Sequence, residues 1–379
     1  MDQIPEIVDQ NPPPSFWRRI DWNRIFPVLF FIGGVIFDLI TLDRIDSPFA
    51  IFSQLGYLSL ATLLMLSFME IWPTPEPSRW MVHKVWSARP LALHFCFGSL
   101  LSAYTIFYFK SASLVVSFGF LLIIFLLLLA NELSQFRALG LKIKMSLLSL
   151  CWFSYATYMV PIALGSIGFW VFLLSLFVGL IPLSFLALIL YWRRTTREVL
   201  VQVLGPVFAV FVLFLGLYLM RWIPPVPLSI QYMGVFHQVE RQEDQYVLYH
   251  QRPWWRFWHR GDQRFYALPG DRVHVFFRLF SPSGFRGNVH MNWEFLGEDG
   301  VWHTTDRIPI QILGGREEGF RGFGFKSNYQ MGRWRVRVLT PDQREIGRIG
   351  FRILRSPLYR DDDPESDTTI RRYWRTEVH

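Results

Sequence analysis

The chain has 379 residues, of which 51% are hydrophobic, 17% aromatic and only 18% charged, with a formal net charge of +8. This composition excludes an ordinary soluble globular protein and points to one partly embedded in a membrane. Its two cysteines, Cys96 and Cys151, both lie in apolar runs, which excludes a disulfide framework or a thiolate metal site in the polar second half.

Residues 1–24 read as a solvated, proline-containing tail without a signal-peptide cleavage pattern, so the first apolar span is expected to stay in the mature protein. A hydrocarbon layer about 30 Å thick needs roughly 20 apolar helical residues. Seven runs qualify, at about 25–42, 50–72, 91–109, 113–131, 145–165, 168–191 and 199–222, predicting a seven-helix transmembrane domain over 25–222. Basic residues alternate around them. Arg18, Arg19, Arg24, Arg79, Lys84, Arg89, Arg137, Lys142, Lys144, Arg193, Arg194 and Arg197 flank one set of ends, against Arg44 and Lys110 at the other. Twelve against two places the N-terminus in the cytoplasm and everything after Trp222 outside, by the positive-inside rule. Export removes nucleic acid as a partner and makes much of the positive balance a topology signal.

Charges inside a bilayer are costly and default to functional hypotheses. Here Asp38, Glu70, His94 and Lys110 all fall near span ends. The alternation brings Asp38 and Lys110 to the exported face and Glu70 and His94 to the cytoplasmic one, where interhelical pairing of polar end residues is the simplest expectation.

The proline cluster "IPPVP", Ile223 to Pro227, marks the boundary to a domain over 223–355, followed by a flexible charged tail over 356–379. Early in this domain lies "RPWWRFWHRGDQRFY", Arg252 to Tyr266. Helical periodicity puts Trp254, Trp255, Phe257 and Trp258 on one arc and Arg252, Arg256, His259 and Arg260 on the other, the pattern of a short interfacial helix that gives rings to lipid headgroups and guanidiniums to phosphates. An irregular strand or loop plugging one end of the domain is the alternative.

Further on the pattern changes to period two: "VHVFFRLF" from Val273, "NVHMNWEF" from Asn288, "RIPIQIL" from Arg307, "GFRGFGFK" from Gly319, "RWRVRVL" from Arg333 and "GRIGFRIL" from Gly347. Turn sequences such as "PGD", "SPSG", "GEDG" and "TPDQ" join these runs, predicting an all-β, immunoglobulin-like antiparallel sandwich. Within it Trp334, Val336 and Val338 face the core and Arg333, Arg335 and Arg337 face outward. In "GGREEGFRGF", Arg316 and Arg321 offer two guanidinium forks for an anion, with a hairpin whose arginines are tethered to Glu317 and Glu318 as the plainer reading. No Ser/His/Asp set, histidine pair or carboxylate pair has positional support.

The segments "IPPVPLSI", "LPGDRVHVFFRLFSP", "VHMNWEF", "GGREEGFRGF" and "GRWRVRVLTPDQREIGRIGFRI" resemble the bacterial family known as domain of unknown function 2914, over roughly Pro224 to Leu354. The resemblance implies a C-terminal domain placed after a multi-span membrane region and brings no activity with it. The sequence therefore predicts a multi-pass inner-membrane protein with a periplasmic binding module, no cofactor, and membrane lipids, an envelope protein or a glycan as partners. Two rivals stand beside it: a sensor or transporter-associated subunit, and an envelope enzyme acting on lipid-linked substrates near Asp38, Lys110 or Arg221.

Overall fold

The structure, a computed structural model, describes residues 44–378 apart from 70–79, 133–139, 193–195, 244, 252–254, 256–258, 315–318 and 357–373. Its first half is helical: α1 (Pro48–Phe68), α2 (Trp80–Ser111), α3 (Leu114–Glu132), α4 (Leu141–Leu164) and α5 (Phe169–Tyr191). A short α6 (Thr196–Val199) then continues through a π-helical stretch, Leu200–Leu204, into α7 (Gly205–Leu219). The stretch ends at Gly205-Pro206, where proline cannot donate to the regular ladder and Gly205 N–H reaches back to Leu200 O.

Among the described residues five helices are long and apolar enough to cross a membrane, Pro48–Phe68, Trp86–Ser111, Leu141–Leu164, Phe169–Tyr191 and Arg197–Leu219. Val115–Asn131 is a shorter apolar helix. Of the other two expected spans, the 113–131 run forms this shorter helix and the first, 25–42, lies outside the described residues. Large apolar side chains such as Phe52, Phe118, Ile181 and Phe208 point outward along these helices, as they would toward lipid rather than water. Between the helices the packing is aromatic, with Phe120 and Phe153 both against Phe214.

The second half is β-rich. One sheet has the order β1 (Ser229–Phe236), β5 (Val273–Phe280), β8 (Phe320–Lys326). A second runs β4 (Arg264–Ala267), β10 (Glu345–Arg355), β9 (Gly332–Leu339), β6 (Arg286–Leu296), β7 (Trp302–Leu313). The two enclose a core that includes Val235, Phe277, Leu279, Met291, Trp293, Trp334, Val336 and Phe351. Two features depart from a simple antiparallel sandwich. Strand β4 pairs with β10 in parallel. A third sheet, β11 (Trp374–Val378), β3 (Gln245–His250), β2 (Gln238–Gln242), covers the outside of the first and encloses Phe236, Leu248 and Phe276. Trp374–Val378, expected as part of a flexible tail over 356–379, is instead a strand, because Val378 adds an apolar side chain to that outer cluster.

The β domain meets the helices end-on. Arg286 N–H donates to Gly165 O between α4 and α5 at 3.0 Å, Tyr218 at the end of α7 donates to Asp342 at 2.6 Å, the Ser113 hydroxyl between α2 and α3 donates to Glu345, and Arg44 lies over the Phe280 ring. These contacts use one end of the bundle and the adjacent ends of β5, β6, β9 and β10, so the strands of both sheets lead away from the helices. Gly165 is the tightest point: its φ is +63°, and a Cβ there would stand 2.7 Å from Gly284 O. Gly165→Ala is therefore expected to cost about 1–3 kcal/mol, visible as a lower melting temperature of the full chain, because strain and a backbone clash coincide. An unchanged melt would show that the two parts separate freely.

Candidate functional site

The β domain's polar face is written by strand register. Across the second sheet, Arg348 stands opposite Arg337, Arg337 opposite Asn292, and Asn292 opposite Arg307. One step outward, Arg335 stands opposite Gly350 and Glu294, and beyond it Arg352 stands opposite both Arg333 and Arg264. Directly paired residues share a face. Seven guanidiniums, those of Arg264, Arg307, Arg333, Arg335, Arg337, Arg348 and Arg352, thus occupy the face opposite the core, with neighbouring rows spaced by about 5 Å between strands and about 7 Å along them.

Two buried carboxylates organise the centre of this array. Glu294 is 1% exposed and accepts from Arg335 Nε and from Arg337, whose Nε lies 2.8 Å from Oε1. The Arg335 guanidinium carbon lies over the Trp302 ring, 4.3 Å from its centroid. Glu345 accepts from Arg348 through Nε at 2.5 Å and Nη2 at 2.8 Å, and Arg337 Nη1 stands 3.8 Å from its Oε2 as an ion-pair contact without a hydrogen bond. Arg264, Arg307, Arg333 and Arg352 are exposed around this centre. Seven cations against these two anions leave a surplus of five positive charges. Partial burial, and then the charge of Arg307, hold the His290 imidazole below its ordinary pKa. The Asn292 side chain, 5% exposed, carries an Oδ1 without a hydrogen-bond partner among the described residues.

The turn after β9 ties this face to the bundle. Arg344 Nε donates to Asp342 at 2.8 Å and its guanidinium covers the Tyr218 ring at 4.6 Å. Burial raises the Asp342 carboxyl, but Arg344 and the hydroxyls of Thr340 and Tyr218 outweigh it and hold the group below the usual range. A depressed carboxyl pKa stabilises the fold above the unfolded value of about 4, and that contribution is lost as pH falls through the folded value. A small cleft adjoins this turn, lined by Tyr108, Thr157, Phe172, Ile223, Val226 and Arg344 among others. No group of three or more His, Cys, Asp or Glu suited to a metal occurs among the described residues.

The residues singled out from sequence fall elsewhere. Arg252, Trp254, Arg256, Trp258, Arg316, Asp38 and Glu70 lie outside the described residues. Trp255 is 55% exposed in a turn. The ends of its segment are pinned, with both Asp262 oxygens accepting from Gln251 N–H at 3.1 and 2.9 Å. Arg260 lies over Tyr232 and Arg321 over Tyr246, and both tyrosines pack on Phe276, so these two flank one aromatic cluster remote from the arginine array. His94 lies near the middle of α2 and Lys110 in its last turn, while their expected partners Glu70 and Asp38 lie outside the described residues. His94 lines a cleft with Asn131 and Lys144, and Lys110 is exposed in the last helical turn. The array itself was visible in "RWRVRVL" as an outward basic face. Its partners Glu294, Arg307, Arg348 and Arg352 needed the cross-strand register.

No curated protein matches the chain. Among solved structures, an immunoglobulin-like protein from Pseudomonas aeruginosa is 13% identical, over 34% of this chain and 98% of that one, with a TM-score of 0.21. An alkylpurine DNA glycosylase from Pseudomonas fluorescens, bound to DNA containing an abasic-site analogue, is 10% identical over 83% of this chain and 99% of that one, with a TM-score of 0.22. At such scores neither likeness bears on fold or function. The segment that carries Glu294, Glu345 and every arginine of the array except Arg264, residues 287–353, matches the family described as "Protein of unknown function (DUF2914)".

Proposed function

We propose that this is an integral membrane protein whose β domain binds an oxyanion-bearing envelope component, a phosphorylated, sulfated or carboxylated glycan or lipid-linked headgroup, across the arginine face. The seven-guanidinium array carries the reading. Arginine forks match phosphate and carboxylate geometry, and the two carboxylates between them are too few to neutralise the face. End-on attachment favours a ligand that extends away from the bilayer, because the sheet leads away from the helices. The finer architecture belongs to the same proposal: seven spans, an immunoglobulin-like sandwich, a cytoplasmic N-terminus and a periplasmic β domain in a bacterial inner membrane, supported by the asymmetry of basic residues.

Heparin, as a sulfated glycan, and vesicles containing phosphatidylglycerol test this with the full chain in neutral-lipid nanodiscs. Replacing Arg264, Arg307, Arg333 and Arg352 together by Ala is expected to weaken heparin binding about 30-fold, since each exposed contact contributes about 0.5 kcal/mol. The melt should stay within a few degrees of the parent. Heparin should also raise the His290 titration, followed by NMR, because an anion beside Arg307 offsets the charge that depresses it. Preference for the vesicles over heparin would assign the face to bilayer headgroups instead of an extended chain. Heparin binding that survives the four substitutions would sink the proposal.

A further inference from the structure

Glu345 belongs to two structures at once. Its side chain is 2% exposed and is shared by Arg348 and Arg337 from the array and by the Ser113 hydroxyl from the turn joining α2 and α3. A carboxylate has a limited number of acceptor positions, so partners that draw on the same two oxygens compete. Three residues earlier in the same turn, Asp342 accepts from Tyr218 at the end of α7. The turn from Thr340 to Glu345 therefore touches the arginine face on one side and two separate helical positions on the other.

We propose that the protein is a sensor in which oxyanion occupancy of the arginine face is relayed to the helices through Glu345 and Ser113. This rests on the oxyanion-binding reading above. Arg337 and Arg348 are direct cross-strand neighbours, so an anion bound between them draws on the Arg348 N–H groups that Glu345 holds in the unliganded protein and on the nearby charge of Arg337. Less of the carboxylate's charge is then met by guanidinium, and more falls on Ser113. The α2–α3 turn is gripped more firmly when the face is occupied. Because coupling between two sites is reciprocal, whatever loosens the Ser113 contact must also lower affinity for the anion.

The full chain in neutral-lipid nanodiscs, with heparin as the probe, tests the relay through two readouts. Ser113→Ala, which replaces none of the arginines, is expected to weaken heparin binding about two- to fivefold, because Glu345 then holds its arginines more tightly. Ser113→Thr keeps the hydroxyl and should restore the parent affinity, which separates the hydrogen bond from a folding defect. Ser149→Ala, in a buried α4 position bonded to Met145 O, should bind as the parent does. In the parent, heparin should slow amide hydrogen exchange at 111–114 severalfold, and in Ser113→Ala this response should vanish. Parent-like affinity of Ser113→Ala, or exchange at 111–114 that ignores heparin, overturns the relay while leaving the face intact. If the four-arginine variant binds heparin as well as the parent does, it is the binding face that fails.

Discussion

Glu294→Gln is expected to lower stability and raise anion affinity together. Glu294 is almost wholly buried and accepts from two guanidiniums whose side chains are 20% and 27% exposed. The glutamine keeps the shape but removes the charge that neutralises Arg335 and Arg337. Breaking a buried pair costs about 3–5 kcal/mol where the stranded charge stays dry. Here the guanidiniums reach water, so about 1–3 kcal/mol is the appropriate expectation, read as a lower denaturant midpoint at unchanged slope. The same change releases two central guanidiniums to an external oxyanion, and heparin affinity should rise about five- to tenfold. A structural ion pair with no part in binding predicts the stability loss alone. Parent-like heparin affinity in a folded Glu294→Gln protein would therefore remove Glu294 from the binding face.

Most period-two segments were legible because one face lies in the core and the other toward solvent; β5 differs, since Phe276 on its outer side is buried under the third sheet. "VHVFFRLF" is β5 residue for residue, and "RWRVRVL" lies within β9 with Trp334, Val336 and Val338 buried as the alternation requires. Strand β1, "SIQYMGVF", gave no such signal, because its second half is buried between the main core and the third sheet. Strand β8 misleads in another way: in "GFRGFGFK" the inward positions are Gly322 and Gly324, against Phe277 and Met291, while Phe323 and Phe325 are 41% and 48% exposed. Strand β11 is separated from its partner β3 by more than a hundred residues, so local pattern cannot announce it. The arginine face has the same origin. Each arginine is an unremarkable outward residue of its own strand, and the array exists only once β4, β10, β9, β6 and β7 are placed side by side.

Trp293 gives the sharpest test of that register, since it precedes Glu294 and points to the opposite side of the same strand. It is 1% exposed, meets Phe351 edge-on with centroids 6.2 Å apart, and belongs to the core between the two main sheets. Trp293→Ala removes the largest of the fully buried side chains and is expected to cost about 3–5 kcal/mol, enough to leave a marginal domain unfolded at ordinary temperature. The indole Nε1 has no hydrogen-bond partner among the described residues. A buried donor without a partner costs about 1–3 kcal/mol, so Trp293→Phe, which deletes it while keeping a ring, should recover much of the loss despite its smaller volume. Chemical denaturation of the three full-length proteins in nanodiscs, followed by the β signal in circular dichroism, should rank them parent, Phe, Ala, with the Phe variant within about 2 kcal/mol of the parent. Heparin affinity measured on the folded Phe variant should equal the parent's, because the substitution lies on the core side of β6. An Ala variant as stable as the parent would mean that Trp293 does not face the core, and the neighbouring placement of Glu294 on the arginine face would fall with it.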